Sequence, residues 1–265
     1  MKLFSTAEKA IMKKDFGEIW DTKMARNTLL LLPIILVVIL PAFYLALIYF
    51  IPAEQINGAD KMLKLLPPEA QGFSVQQSMF YMMTNFLCPM FFLMIPLMVS
   101  SISAACSFVG EKERSTIETL LLTPMSMRQI FKAKVFGCVI LSGISTLIAF
   151  VAFSVVTSLG DLIMKMPFFL NWNWLVLLLF FAPAITVFGV IFMVIFSGKS
   201  KSYMESFQTS SYIVLPVILL FMGQFTGLFQ LNALILLLIS AVIIILDIVL
   251  LLFGSRSFTP EKLLK

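Results

Sequence analysis

The sequence contains no histidine, and charged residues make up only 12 % of its 265 positions. The missing histidine removes the commonest metal ligand and the usual general base together. So low a charge content excludes an ordinary soluble domain, in which about a quarter of residues are charged. Cysteine is equally scarce: Cys88, Cys106 and Cys138 stand singly in apolar stretches, with neither ligand spacing nor a disulfide framework. They are expected to be packing residues. A nucleotide-hydrolysing loop is also missing. Gly198-Lys199-Ser200 imitates the end of one, but Met193 stands where the leading glycine belongs, and an apolar run rather than a strand precedes it. No serine has a nucleophile-elbow context. Ser100, Ser101 and Ser103 are expected to bond back to their own helix. Any work this polypeptide performs needs energy from another source.

What is present is hydrocarbon: 60 % hydrophobic residues and a mean hydropathy of +1.01. The apolar runs predict an all-α integral membrane protein forming a single transmembrane domain over 1–265, with six spans at about 28–51, 78–109, 126–159, 175–196, 207–222 and 232–253. Pro33 and Pro41 are tolerable inside the first span. The second exceeds the roughly 20 residues a bilayer requires, so it tilts or projects. Its many Met and Phe residues suit either an adaptable surface or a core and lipid-facing role. Asp161 and Lys165 are expected in a short loop, with Trp172 and Trp174 at the membrane interface.

Residues 1–27 are basic and lack a signal-peptide core, so no cleavage is expected. A stripe through Met12, Phe16, Ile19, Trp20 and Met24 fits an amphipathic helix in the headgroup layer, with Lys14, Glu18 and Asp21 opposite; a disordered basic tail is the alternative. Basic residues are distributed unevenly. Lys2, Lys9, Lys13, Lys14, Lys23, Arg26, Lys112, Arg114, Arg128, Lys132, Lys134, Lys199, Lys201, Arg256, Lys262 and Lys265 fall on one side of the six-span arrangement, and only Lys61, Lys64 and Lys165 on the other. The positive-inside rule therefore places both termini in the cytoplasm, of a plasma or inner membrane.

The one densely charged central segment, over 110–129, reads G-E-K-E-R-S-T-I-E-T-L-L-L-T-P-M-S-M-R-Q. Ser115 with Glu118 forms a capping box, Pro124 ends the helix it opens, and Ser126 with Gln129 opens the next. Ile117, Leu120 and Leu121 share one face of this short helix. It is either a docking element for another protein or a solvated loop helix. Asp247 is the one ionisable residue expected deep inside a span, functional by default or a structural contact near Arg256. Gln208, Ser211 and Tyr212 belong to a polar start of the fifth span that lines a cavity or satisfies itself across helices.

The run G-E-K-E-R-S-T-I-E-T-L-L-L-T-P-M-S-M-R-Q-I-F-K-A-K resembles the segment between the second and third spans of ABC-2-type transporter permeases. Pro216 in the fifth span and the terminal F-T-P-E-K-L-L extend the resemblance over essentially the whole chain. It implies a coupling helix within 110–126 that seats in a separate ATPase through Glu111, Lys112, Glu113, Arg114, Thr116, Ile117, Glu118, Thr119, Leu120 and Leu121. It also implies two ATPase copies binding ATP and Mg, a second permease chain as homodimer or heterodimer, and no cofactor or nucleic acid on this chain. The implied activity is export of a drug, peptide or lipid, with sodium export or an ion-coupled carrier as alternatives. Candidate pathway residues are Gln208, Ser211, Tyr212 and Asp247. The short link between the last two spans departs from larger members, which carry external domains there or after the first span.

Overall fold

The computed structural model describes residues 5–50, 72–114, 122–197, 202–226 and 231–257. These residues are helical, with no strand among them. The elements are α1 (Thr6–Asp21), α2 (Lys23–Phe50), α3 (Val75–Glu113), α4 (Met127–Met164), α5 (Trp172–Phe196), α6 (Tyr203–Phe225) and α7 (Ala233–Ser257). Helices α2, α3, α4, α5 and α7 are long and apolar enough to cross a membrane; the apolar part of α6, Ser211–Gln224, is shorter. The chain is thus an all-helical protein with several membrane-compatible helices.

Helix α3 is the hub. It packs against α2, α4, α5 and α6, while α7 lies outside against α5. Its most apolar stretch is 89 % buried, against 22 % for α2 and α4 and 17 % for α7. The Met- and Phe-rich second span is therefore core. Small residues set the close crossings: a Cβ at Gly189 of α5 would collide with the Ser100 hydroxyl of α3, and one at Gly160 of α4 with the Phe80 ring. Serine hydroxyls inside α3 turn inward on its own backbone as expected, Ser100 and Ser101 donating to the Leu97 carbonyl and Ser103 to that of Val99. The cysteines are free and buried, in keeping with packing roles.

Three π-helical turns sit two residues ahead of a proline: Ile35–Ile39 before Pro41, Met83–Leu87 before Pro89, and Leu177–Phe181 before Pro183. A proline offers no N–H to the carbonyl four residues back and its ring crowds that carbonyl. Widening the preceding turn relieves the clash while the helix continues. A fourth π turn, Ala105–Val109, precedes no proline and has a different use, described below.

Two expectations about the α4–α5 corner are corrected. Asp161 lies in the last turn of α4, not in a loop, and its carboxylate accepts the Phe169 N–H at 2.8 Å. Trp174 is fully buried, with its ring 4.8 Å from Phe153, 5.7 Å from Phe92 and 6.0 Å from Phe169; only Trp172 is exposed. An indole amid four aromatic rings gains more from edge and offset contacts than from the headgroup layer.

Candidate functional site

Helix α1 begins with a capping box in which Ser5 and Glu8 satisfy each other's backbone N–H groups. Its buried face is Glu8, Ile11, Asp15 and Ile19. Of the expected stripe, Ile19 is buried, while Phe16 and Trp20 are about half exposed and stack on each other. Ile11 packs with Ile130 and Ala133 at the start of α4, and Met12 closes on Gly137. Asp15 lies one turn beyond Ile11 on the same face, so folding carries its carboxylate inward.

There it meets Lys134 of α4. The lysine side chain is 1 % exposed, that of Asp15 4 % and that of Glu111 3 %. The ammonium lies 3.4 Å from Asp15 Oδ2 and 3.0 Å from Glu111 Oε2, and donates to the Ser107 carbonyl at 2.7 Å. Ser107 belongs to the fourth π turn, whose wider winding turns its carbonyl toward the ammonium. Its hydroxyl donates to Asp15 Oδ2, and the Phe108 ring lies 5.5 Å from the lysine nitrogen. The three donors of Lys134 thus have anionic or carbonyl acceptors, which is what an ammonium needs in order to remain buried.

A more exposed layer surrounds this centre. Lys14 reaches Glu111 Oε1 at 2.8 Å and Glu18 at 3.4 Å. Arg114 lies 3.9 Å from Glu18 and donates to the Thr22 hydroxyl at 3.2 Å. Asp15, Glu111 and Glu18 are therefore matched by Lys134, Lys14 and Arg114. Burial raises the Asp15 carboxyl above its ordinary 3.8, offset in part by Lys134 and the Ser107 hydrogen bond. Burial acts to lower the Lys14 amine, but Glu111 and then Glu18 outweigh it, leaving the value above 10.5.

Mechanically the cluster is a clamp. It ties α1 to the end of α3 and the start of α4, the two helix ends that bracket residues 115–125. Of the residues assigned to docking, Glu111 turns into the clamp, Arg114 is at its edge, and Lys112 and Glu113 lie in the final turn of α3. Thr116, Ile117, Glu118, Thr119, Leu120 and Leu121 lie outside the described residues, as does the Ser115 capping box. The second box is formed: Ser126 and Gln129 cap α4 reciprocally.

The pathway candidates occupy different places. Gln208, Ser211 and Tyr212 are exposed along α6, whereas Asp247 is buried on α7, where its Oδ1 has no hydrogen-bond partner among the described residues. Asp247 is also not the lone buried ionisable group of the spans, since Lys134 lies within α4. Sequence reading missed Asp15 and Lys134. The available signal was a carboxylate one turn from Ile11 and from Ile19, on what was otherwise an apolar face. No family model, curated protein or solved structure matches the chain.

Proposed function

We propose that this chain is the membrane-spanning permease subunit of an ATP-binding-cassette exporter, with α2 to α7 as six spans and both termini in the cytoplasm. The observation that carries this reading is the charged segment beginning at Gly110, whose sequence resembles an ABC-2 coupling segment and whose root is clamped to α1 and α4 through Glu111 and Lys134. A helix that receives force from a partner needs a rigid seat, and a buried, charge-matched cluster supplies one. ATP and Mg would be held by two copies of a separate ATPase, and a second permease chain would complete the pathway. The scarcity of charge inside the bundle favours a hydrophobic or amphipathic cargo. The exporter would stand in a plasma or inner membrane.

Co-purification tests the reading. An ATPase should remain with the detergent-extracted chain, and Glu118→Arg or aspartates at Leu120 and Leu121 should remove it while membrane insertion persists. Transport by the purified chain alone would overturn it. That outcome would favour an ion-coupled carrier, for which the unpartnered Asp247 oxygen is the supporting observation.

A further inference from the structure

Between α1, α2 and α4 runs a furrow of about 360 Å³ whose walls are almost wholly hydrocarbon, among them Phe16, Trp20, Leu30, Val37, Ile148 and Ala152. A second hollow of about 280 Å³ shares Phe16, Ile19, Leu141 and Ile144 with it and continues to Lys13. Along α4 the furrow extends from Leu141 to Ala152. That is about 16 Å of helix, roughly half the ~30 Å hydrocarbon core and so the depth of one leaflet. Its hydrocarbon lining over that length suits an extended acyl chain.

One end of the furrow is charged. Exposed Lys13 lines the continuing hollow, and Arg26 donates to the carbonyl of Trp20 on the other flank, at 3.4 Å. The nearby carboxylates Asp15 and Glu18 are engaged by Lys134, Lys14 and Arg114, which leaves Asp21 as the opposing exposed charge on α1. The stacked Phe16 and Trp20 rings form the lip, a place where aromatic side chains settle at headgroup level.

We propose that the furrow is a binding site for one acyl chain of an anionic phospholipid, whose headgroup is drawn by Lys13 and Arg26. The lining selects the chain: the slot is almost wholly apolar and about one leaflet deep. Charge selects the headgroup, because basic residues at a membrane surface attract anionic lipids. The site does not depend on the transport reading.

Native mass spectrometry of the full chain, extracted from bilayers with equal phosphatidylglycerol and phosphatidylcholine, tests this. One phosphatidylglycerol should be retained preferentially. Lys13→Gln and Arg26→Gln should each reduce that preference about fivefold and leave phosphatidylcholine retention unchanged. Ala152→Phe should abolish retention, whereas Ile245→Phe on the exposed face of α7 should not. If Ala152→Phe is not monodisperse, Ser145→Leu fills the same slot. Equal retention of the two lipids, or indifference to both glutamine variants, would overturn the proposal. Disulfide cross-linking of Ala152→Cys to a second copy would also overturn it, by identifying a protein occupant.

Discussion

Lys134 of α4 and Asp15 of α1 meet at 3.4 Å with both side chains almost sealed from solvent, though 119 residues separate them. The contact joins the N-terminal helix to the bundle at the level where the charged segment leaves α3.

Removing only the lysine should be costly. Lys134→Met leaves two buried carboxylates facing each other, and an uncompensated buried charge costs about 3–5 kcal/mol. The thermal midpoint of the detergent-solubilised protein should drop sharply. The triple variant Asp15→Asn, Glu111→Gln, Lys134→Met should recover most of the loss. A triple variant as unstable as the single one would show that packing around the lysine stem, not charge balance, dominates.

The pH dependence has a definite sign. The folded-state Asp15 carboxyl lies above 3.8, so the native protein holds this proton over a range where the unfolded chain has released it. Its contribution to stability is greatest below the unfolded value and declines as pH rises through the folded one. Asp15→Asn lacks this dependence. The stability of wild type relative to that variant should therefore fall as pH rises above about 4 and level off once the folded-state carboxyl has ionised. A relative stability that rises over the same range would contradict the assignment. Lys14 acts oppositely in range: raised above 10.5, its contribution is intact below that value and lost only in stronger base.

The α3–α5 crossing depends on a missing side chain. Gly189→Ala places a methyl against the Ser100 hydroxyl and should cost about 1–3 kcal/mol by overpacking. Gly143→Ala, where a Cβ meets nothing within 4 Å, should instead gain about 0.5–1 kcal/mol from helix propensity. Parallel unfolding curves of the two variants check the contrast.

Lys165 ends α4 in the left-handed region at φ 54°, the only positive-φ residue other than glycine among the described residues. Lys165→Gly should stabilise the protein by up to about 1 kcal/mol, since glycine adopts that conformation without a Cβ penalty. Thermal midpoints would record the gain; a loss would mean that the lysine stem contributes packing at this corner.

Features set by neighbouring residues were readable from the sequence. The Ser126–Gln129 cap, the inward serines of α3 and the long apolar helices each follow from a few consecutive positions. Features set by distant residues were not. The carboxylate at position 15 looked like an interruption of an amphipathic pattern, because its partner lies on α4. Of the apolar stripe read along α1, Ile19 is buried beside Asp15, while Phe16 and Trp20 stay half exposed. Trp174 was assigned to the interface because an indole near a span end ordinarily goes there; Phe92, Phe150, Phe153 and Phe169 converge on it only after α3, α4 and α5 assemble. The proline-linked π turns escaped notice because local rules register a proline without specifying how the turn before it adjusts.

Those wide turns matter beyond local geometry. Each accommodates one residue more than regular winding would, so the side chains beyond it face about 100° away from where simple counting puts them. A heptad or moment drawn straight through residues 35–39, 83–87 or 177–181 consequently joins faces that do not align in space. Excising one residue together with the following proline's ring, for instance by deleting Val38 and replacing Pro41 with alanine, would reset α2 to ordinary winding and preserve the orientation of its far half. Length changes of a single residue inside a span, normally ruinous, should be tolerated at these three places.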